Sequence, residues 1–265
     1  MAIAVGTNLS TFTLESDNIK AGLVTGSLRF RNATSSTRTV GDTNEKKCTN
    51  AKEAVLSIDM FNQTGGDCPV MALNTSVFTL DSVDYFARLI NLEINAENMF
   101  VDAGGVGDKF MVRQWTGQSI RGSCQLNLST TVARDILTAV ASSTLADAHM
   151  ALAFTLNGIA VSIPVHASEI VHTIATGQEQ TWDITFEERG AATSPSGTTT
   201  MLERFLNTPS TSETLVLQSK SGTGGVTYGG EFFWQSYNLS IRRQEVVREQ
   251  YSLISTGTIT EAASS

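Results

Sequence analysis

A mainly β protein with short helices is what this 265-residue sequence predicts, and three observations predict it. Apolar residues recur with period two in one segment after another, as in Leu28 and Phe30 set against Arg29 and Arg31. That is how a strand with one buried face reads. A long stretch occurs twice: laying Ser10 over Ser76 brings residues 10–62 onto 76–128 without a gap. Phe12, Thr13 and Leu14 then meet Phe78, Thr79 and Leu80, Asn32 meets Asn98, and Val40, Gly41 and Asp42 meet Val106, Gly107 and Asp108. The match keeps the parity of the apolar positions, which a duplicated strand must keep to bury the same face. Finally, a helical period is carried by two short segments, near 132–140 and 201–206. The expected architecture is two duplicated β-barrel or sandwich domains, each with one α-helix.

The elements follow in order. Residues 11–19 alternate weakly and 23–31 alternate well. From 32 to 52 the apolar period is lost, through Arg38, Val40, Gly41, Asp42, Glu45, Lys46 and Lys47, and it resumes with Leu56, Ile58 and Met60. About twenty polar residues are too many for a tight hairpin turn. A long functional loop is expected there, able to reach a neighbouring molecule. Residues 63–75, with Gly65, Gly66 and Pro69, read as a linker. In the second copy Leu92 and Ile94 restore the alternation. The matching loop, with Gly104, Gly105, Val106, Gly107 and Asp108, is glycine-rich where the first is charged, and Phe110, Val112 and Trp115 add apolar surface. A closing strand spans 119–129.

Ser129 or Thr130 can cap a helix whose Val132, Ile136, Leu137 and Val140 share one face. Asn157-Gly158 is a hairpin signal among strands at 150–164 and 165–173. Trp182, Ile184 and Phe186 alternate, and Gly190 ends the unit. After a second linker, 191–197, Met201, Phe205 and Leu206 imitate Val132, Ile136 and Leu137. Strands at 214–218, 230–240 and 249–259 complete the chain. The pieces run hairpin, hairpin, helix with strands, helix with strands. Because adjacent pieces tend to pack together, one domain, 76–190, is expected inside a frame made of 1–62 and 198–265. Interleaved pairing of the pieces is the alternative.

With 41% hydrophobic and 17% charged residues and 4 Pro, this is a folded chain and not a low-complexity one. A net charge of −8 argues against gripping nucleic acid through its phosphates, though not against DNA passing nearby. Residues 1–6 lack the basic start of a secretory signal and no apolar run is long enough to span a bilayer, so synthesis in a cytoplasm and no membrane are expected. In that setting Cys48, Cys68 and Cys124 read as free thiols and the Asn-X-Ser/Thr triplets as by-products of composition.

No site for chemistry emerges. His149, His166 and His172 have no carboxylate or cysteine at ligand spacing. The glycine clusters at 104–107 and 222–230 neither open a helix nor precede a Lys-Ser/Thr pair, so they read as β turns. Glu187 and Glu188 are neighbours on a strand and face opposite sides. Phe232, Phe233, Trp234 and Tyr237 could stack bases, but a strand buried on both faces, with a charged turn after it, is the better account of them. Arg242, Arg243 and Arg248 stand near Glu245 and Glu249, with which they could pair within or between subunits. No enzyme activity, metal or cofactor is expected.

A strand pair with a long polar loop is followed by the strand through Gly122 and Ser123, then the short helix at 132–137. Strands closing on Trp182, Ile184, Phe186 and Gly190 complete the pattern. This pattern resembles the major tail tube proteins of long-tailed bacteriophages. The resemblance covers nearly the whole chain and contains no signature motif. It implies a structural virion protein of the double-domain type, three copies forming a pseudo-hexameric ring. Stacked rings would make the tube through which DNA is ejected, in the virion tail, after assembly in the host cytoplasm. Implied partners are other copies of the chain, the tape measure, terminator and hub proteins, and double-stranded DNA sliding through without specific binding. The loops around Arg38, Val40, Gly41, Asp42, Glu45, Lys46 and Lys47 and around Gly104, Gly105, Val106, Gly107, Asp108 and Phe110 would then be contacts between rings. The rival readings are a tail hub or terminator ring, a capsid decoration protein and a carbohydrate-binding β protein.

Overall fold

The structure, a computed structural model, describes residues 2–5, 11–14, 17–18, 23–37, 46–61, 77–104, 109–127, 149–156, 159–174, 180–190, 192, 201–219, 225–242 and 247–263. The strands are β1 (Ala2–Val5), β2 (Thr11–Leu14), β3 (Asp17–Asn18), β4 (Leu23–Thr37), β5 (Lys46–Phe61), β6 (Phe78–Leu80), β7 (Val83–Asp84), β8 (Leu89–Asp102), β9 (Arg113–Asn127), β10 (His149–Leu156), β11 (Ile159–Thr173), β12 (Thr181–Glu188), β13 (Glu213–Gln218), β14 (Val226–Arg242) and β15 (Arg248–Ala263). A 3-10 turn at Phe86–Arg88 precedes β8, and a helix, α1 (Met201–Asn207), precedes β13. The expected mainly β class with few helices is what the chain adopts. Residues 132–140, where the first helix is expected, lie outside the described residues.

All the strands belong to one curled antiparallel sheet of 15 strands. Its order is β1-β4-β5-β15-β14-β8-β9-β12-β11-β10-β6-β7, with β13, β2 and β3 branching from β14. Strands from 2–61 and 213–263 thus lie on one side of the β14/β8 pairing, and strands from 78–188 on the other.

The two sides repeat each other in register. In one hairpin Leu23 faces Met60 and Leu28 faces Leu56, and in the other Leu89 faces Leu126 and Ile94 faces Gly122. A bulge follows Leu23 in β4 and Leu89 in β8. The shift that lays Ser10 over Ser76 therefore carries one hairpin onto the other, down to the irregularity, because a bulge, like the apolar parity, sets which face each later residue takes. β15 and β12 close the two hairpins in the same way: Tyr251 pairs with Ile58, and Ile184 with Cys124.

Two expectations are corrected. Residues 32–37 and 46–52, read as parts of a long loop, are strand instead, because β4 and β5 stay paired out to Thr37 and Lys46; 38–45 lie outside the described residues. A ladder needs only backbone N–H and C=O groups, so a hairpin can extend without any apolar period. Likewise 150–164 and 165–173 are not separate strands: β11 runs through Pro164, which sits opposite Ala151 of β10 and accepts a hydrogen bond from the Arg189 amide at 2.8 Å. Leu156 faces Ile159, so two residues, 157 and 158, separate the paired ends of β10 and β11.

Alternation sends one face of the sheet into a single core cluster. Leu28, Leu56, Leu253 and Trp234 supply one side and Ile94, Cys124, Ile184 and Phe186 the other. Phe12 from β2, Phe78 from β6, Leu217 from β13 and Phe205 from α1 join the same cluster. Burial of this many large side chains, at roughly 1.5–3 kcal/mol each, is the main favourable term. The aromatic run is core: Phe232, Phe233, Trp234 and Tyr237 are all buried.

Candidate functional site

Of the described surfaces, the seam between the two halves is the most fully built. Seven consecutive residues of β14, 236–242, pair with 91–97 of β8, from Ser236 opposite Glu97 to Arg242 opposite Asn91. Asn98, buried just beyond the seam, donates to the carbonyl of Trp234 at 2.9 Å and accepts from Gln118 at 3.1 Å. Gln118 also donates to the carbonyl of Phe205 at 3.2 Å, so one amide node ties β8, β9, β14 and α1 together. Glu213 does similar work on the helix: it is buried, accepts from the Trp234 indole at 3.0 Å and holds Arg204 at 3.1 Å.

The face of the sheet opposite the core is polar across the seam. Rows run from Ser27 through Ser57 and Ser252 to Ser236 and Glu97, and from Thr25 through Asp59 and Gln250 to Asn238, Asn95 and Arg121. A groove of about 460 Å³ lies along it, lined by Ser27, Ser57, Asp59, Ser236, Asn238 and Ser252. Two of the cations on this face stand against carboxylates, Arg242 at 3.7 Å from Glu93 and Arg121 at 3.9 Å from Glu187. These are exposed pairs worth about 0–1 kcal/mol, and each offsets the positive charge of its arginine.

At the far end of the hairpins the two halves are laced together. Lys52 donates its amide to the Lys109 carbonyl at 3.0 Å and accepts from Met111 at 3.0 Å, and Gly257 donates to the Met111 carbonyl at 2.8 Å. Gly257 has φ +72°, a left-handed geometry open to glycine and strained for other residues. Arg113, buried, donates to the Ser255 carbonyl at 2.6 Å and to Glu53 at 2.5 Å. Arg113 was not legible as a site residue in the sequence; a charged residue opening an otherwise apolar-polar strand was the one sign of it.

The expected contact residues fall as follows. Arg38, Val40, Gly41, Asp42, Glu45, Gly105, Val106, Gly107, Asp108, Arg243 and Glu245 lie outside the described residues. Lys46 and Lys47 open β5, and Gly104 is exposed just past β8. Phe110 is half-buried in a parallel bridge with Lys52, within the lacing. Arg242 pairs with Glu93 across the seam, whereas Glu249 is buried and accepts from the Tyr237 hydroxyl at 3.0 Å. Arg248 is exposed at the start of β15. His172 stacks on Trp182, ring centroids 3.9 Å apart. Glu187 and Glu188 do face opposite sides, and burial pushes the Glu188 carboxyl up from its ordinary value. Burial, and secondarily the charge of Asp183, pushes the Cys124 thiol far up, which leaves it an inert core group. Among the described residues no cluster of His, Cys, Asp and Glu forms that could hold a metal, and no helix is long and apolar enough to cross a membrane.

No family model and no curated protein matches the chain. Among solved structures it is similar to a chain from the virion of a native gene transfer agent particle, at 14% identity and a TM-score of 0.37, over 47% of this chain and 100% of that one.

Proposed function

We propose that this chain is a structural virion protein that assembles edge to edge into rings, and that stacked rings form the tail tube of a long-tailed phage. The observation that carries the reading is the joint within the chain. Two equivalent half-sheets meet head to tail through β14 and β8, and a head-to-tail joint repeated between copies closes a ring when its rotation closes. Ring closure also removes the exposed sheet edges that a lone copy presents at both ends.

The nested division, 76–190 within 1–62 and 198–265, makes each half one ring position, so three copies would supply six. The polar face would line the lumen. Hydroxyls, amides and carboxylates, with the arginines held against Glu93 and Glu187, suit a surface on which duplex DNA must slide and not stick, because each phosphate neutralised adds binding that ejection has to break. The hairpin ends, including Lys46, Lys47 and Gly104, would reach the next ring, and the tube's other partners would be the remaining tail proteins.

Negative-stain electron microscopy of the concentrated protein tests this. Hollow tubes or stacked rings with three-fold averages are the expected result. Discrete single rings would return the chain to a hub or terminator, and retention on empty capsids or a glycan array without any ring would overturn the reading.

A further inference from the structure

The two halves differ at their edges, and the difference is informative. Residues 236–240 of β14 have β15 on one side, and 236–242 have β8 on the other. The counterpart of this segment is the end of β11. A bulge precedes Ser236 in β14 and Glu169 in β11, and Ser236 faces Ser252 as Glu169 faces Thr185. Ser252 and Thr185 in turn face Ser57 and Ser123, equivalent residues of the first repeat. Yet among the described residues 169–173 pair with β12 alone. Ile241, shielded at the seam, is 1% exposed, while its counterpart Ile174 is 68% exposed. The other end of the sheet is the complement. Residues 91–97 of β8, which receive β14, correspond to 25–31 of β4. On β4 that edge carries the four-residue β1, with Ala2 opposite Arg29, Ile3 opposite Leu28, Ala4 opposite Ser27 and Val5 opposite Gly26.

We propose that β1 is a placeholder on the β4 edge, and that the end of β11 from a second copy of this chain displaces it. This rests on the assembly reading above and specifies its joint. Copying the seam by the two repeat shifts sets the register: Glu169 of one copy opposite Arg31 of the next, Ile170 opposite Phe30, Val171 opposite Arg29, His172 opposite Leu28, Thr173 opposite Ser27 and Ile174 opposite Gly26. The joint has its own charge complementarity, since the exposed Glu169 comes to Arg31, whose side chain is 52% exposed and reaches Glu53 only at 3.9 Å. It is also longer than what it replaces, because β1 covers 26–29 and the seam covers seven positions. An open edge is a template for uncontrolled pairing. A short strand lying on it keeps free subunits apart and yields to the longer match.

The test is the concentration at which the purified full chain begins to scatter light as polymer. In an antiparallel edge strand alternate residues donate to the neighbour, so Ile3→Pro with Ala4→Pro removes one N–H bond to β4 whichever residue donates it. That variant is expected to assemble at about tenfold lower concentration, a shift of roughly 1.4 kcal/mol. Arg31→Glu and Glu169→Arg, each outside the β1 pairing, are expected to raise the threshold about tenfold singly and to restore it together. Thermal melts by circular dichroism confirm that all variants fold. An unchanged threshold in the proline variant overturns the placeholder, and two charge variants that fail to rescue each other overturn the register. Wild type and variants that all stay monomeric overturn the assembly reading itself, an outcome distinct from either.

Discussion

Gly122 offers a sharp test of how the duplicated halves diverged. It lies in β9 between Ile94 of β8 and Phe186 of β12. A Cβ there would fall 2.4 Å from the Glu93 carbonyl oxygen and 2.5 and 2.6 Å from two carbons of the Phe186 ring. Comfortable carbon contacts begin at about 3.5 Å. In the other half Leu56 stands in the place of Gly122 and Leu253 in the place of Phe186, so the pair has traded volume across the strand gap. The ring can tilt away, but the carbonyl belongs to a neighbouring strand and moves only if the sheet widens. Overpacking costs typically about 1–3 kcal/mol, and with backbone involved Gly122→Ala belongs at about 3. For a chain of this size that lowers Tm by roughly 6 °C. Phe186→Leu relieves the ring contacts and not the carbonyl, so the double variant should cost about 1.5 kcal/mol less than the sum of the two single losses, and that difference is the coupling. Urea titration followed by tryptophan fluorescence measures all three variants. Gly122→Ala within about 0.5 kcal/mol of wild type, or no coupling to Phe186→Leu, would refute the volume exchange.

Other outcomes follow from the buried polar groups. Asn98→Leu leaves the Gln118 amide and the Trp234 carbonyl without their shared partner and should destabilise by about 2–4 kcal/mol, read in the same titration. Glu213→Leu leaves the buried Trp234 indole without its acceptor and takes one carboxylate away from Arg204, and should cost about 2–3 kcal/mol, whereas the exposed pair broken by Arg121→Gln should cost under about 1. Tyr237 and Tyr251 are held well above the ordinary phenol range by burial first and then by the Glu249 charge. The folded state keeps those protons after the unfolded chain has lost them, so their contribution is complete below pH 10 and declines above it. Stability should fall by up to about 1.4 kcal/mol per pH unit for each tyrosine, and Tyr237→Phe should flatten the decline.

What the sequence made legible was the part written in apolar parity. Leu28, Leu56, Ile58 and Met60 name one core face, and Ile94, Cys124 and Leu126 name it again in the duplicate, whereas Leu23 and Leu89 reach the same side only through the bulge that follows each. The helix at 201–207 was legible because Phe205 and Leu206 repeat a helical face. The polar extension of the first hairpin was hidden, since the pairing of Thr34 to Thr37 with Thr49 to Lys46 needs only backbone groups and leaves no periodic trace. The role of Glu249 was hidden for a related reason. Its neighbours suggest a surface charge, but the β15 register turns it toward Tyr237 in the core. The edges were hidden most completely, because whether Ile174 or Ile241 is covered depends on which strand lies alongside, a long-range fact no local pattern encodes. One sign was available, an isoleucine at the exposed end of a strand whose duplicate ends in isoleucine too.

If the sheet of one copy continues into the next, amide hydrogen exchange compared between monomer and polymer will show it. Peptides covering 169–174 and 25–31 are expected to gain protection on assembly while 2–5 lose it, with the seam at 91–97 and 236–242 protected in both states. A polymer in which 169–174 exchange as fast as in the monomer would contradict it.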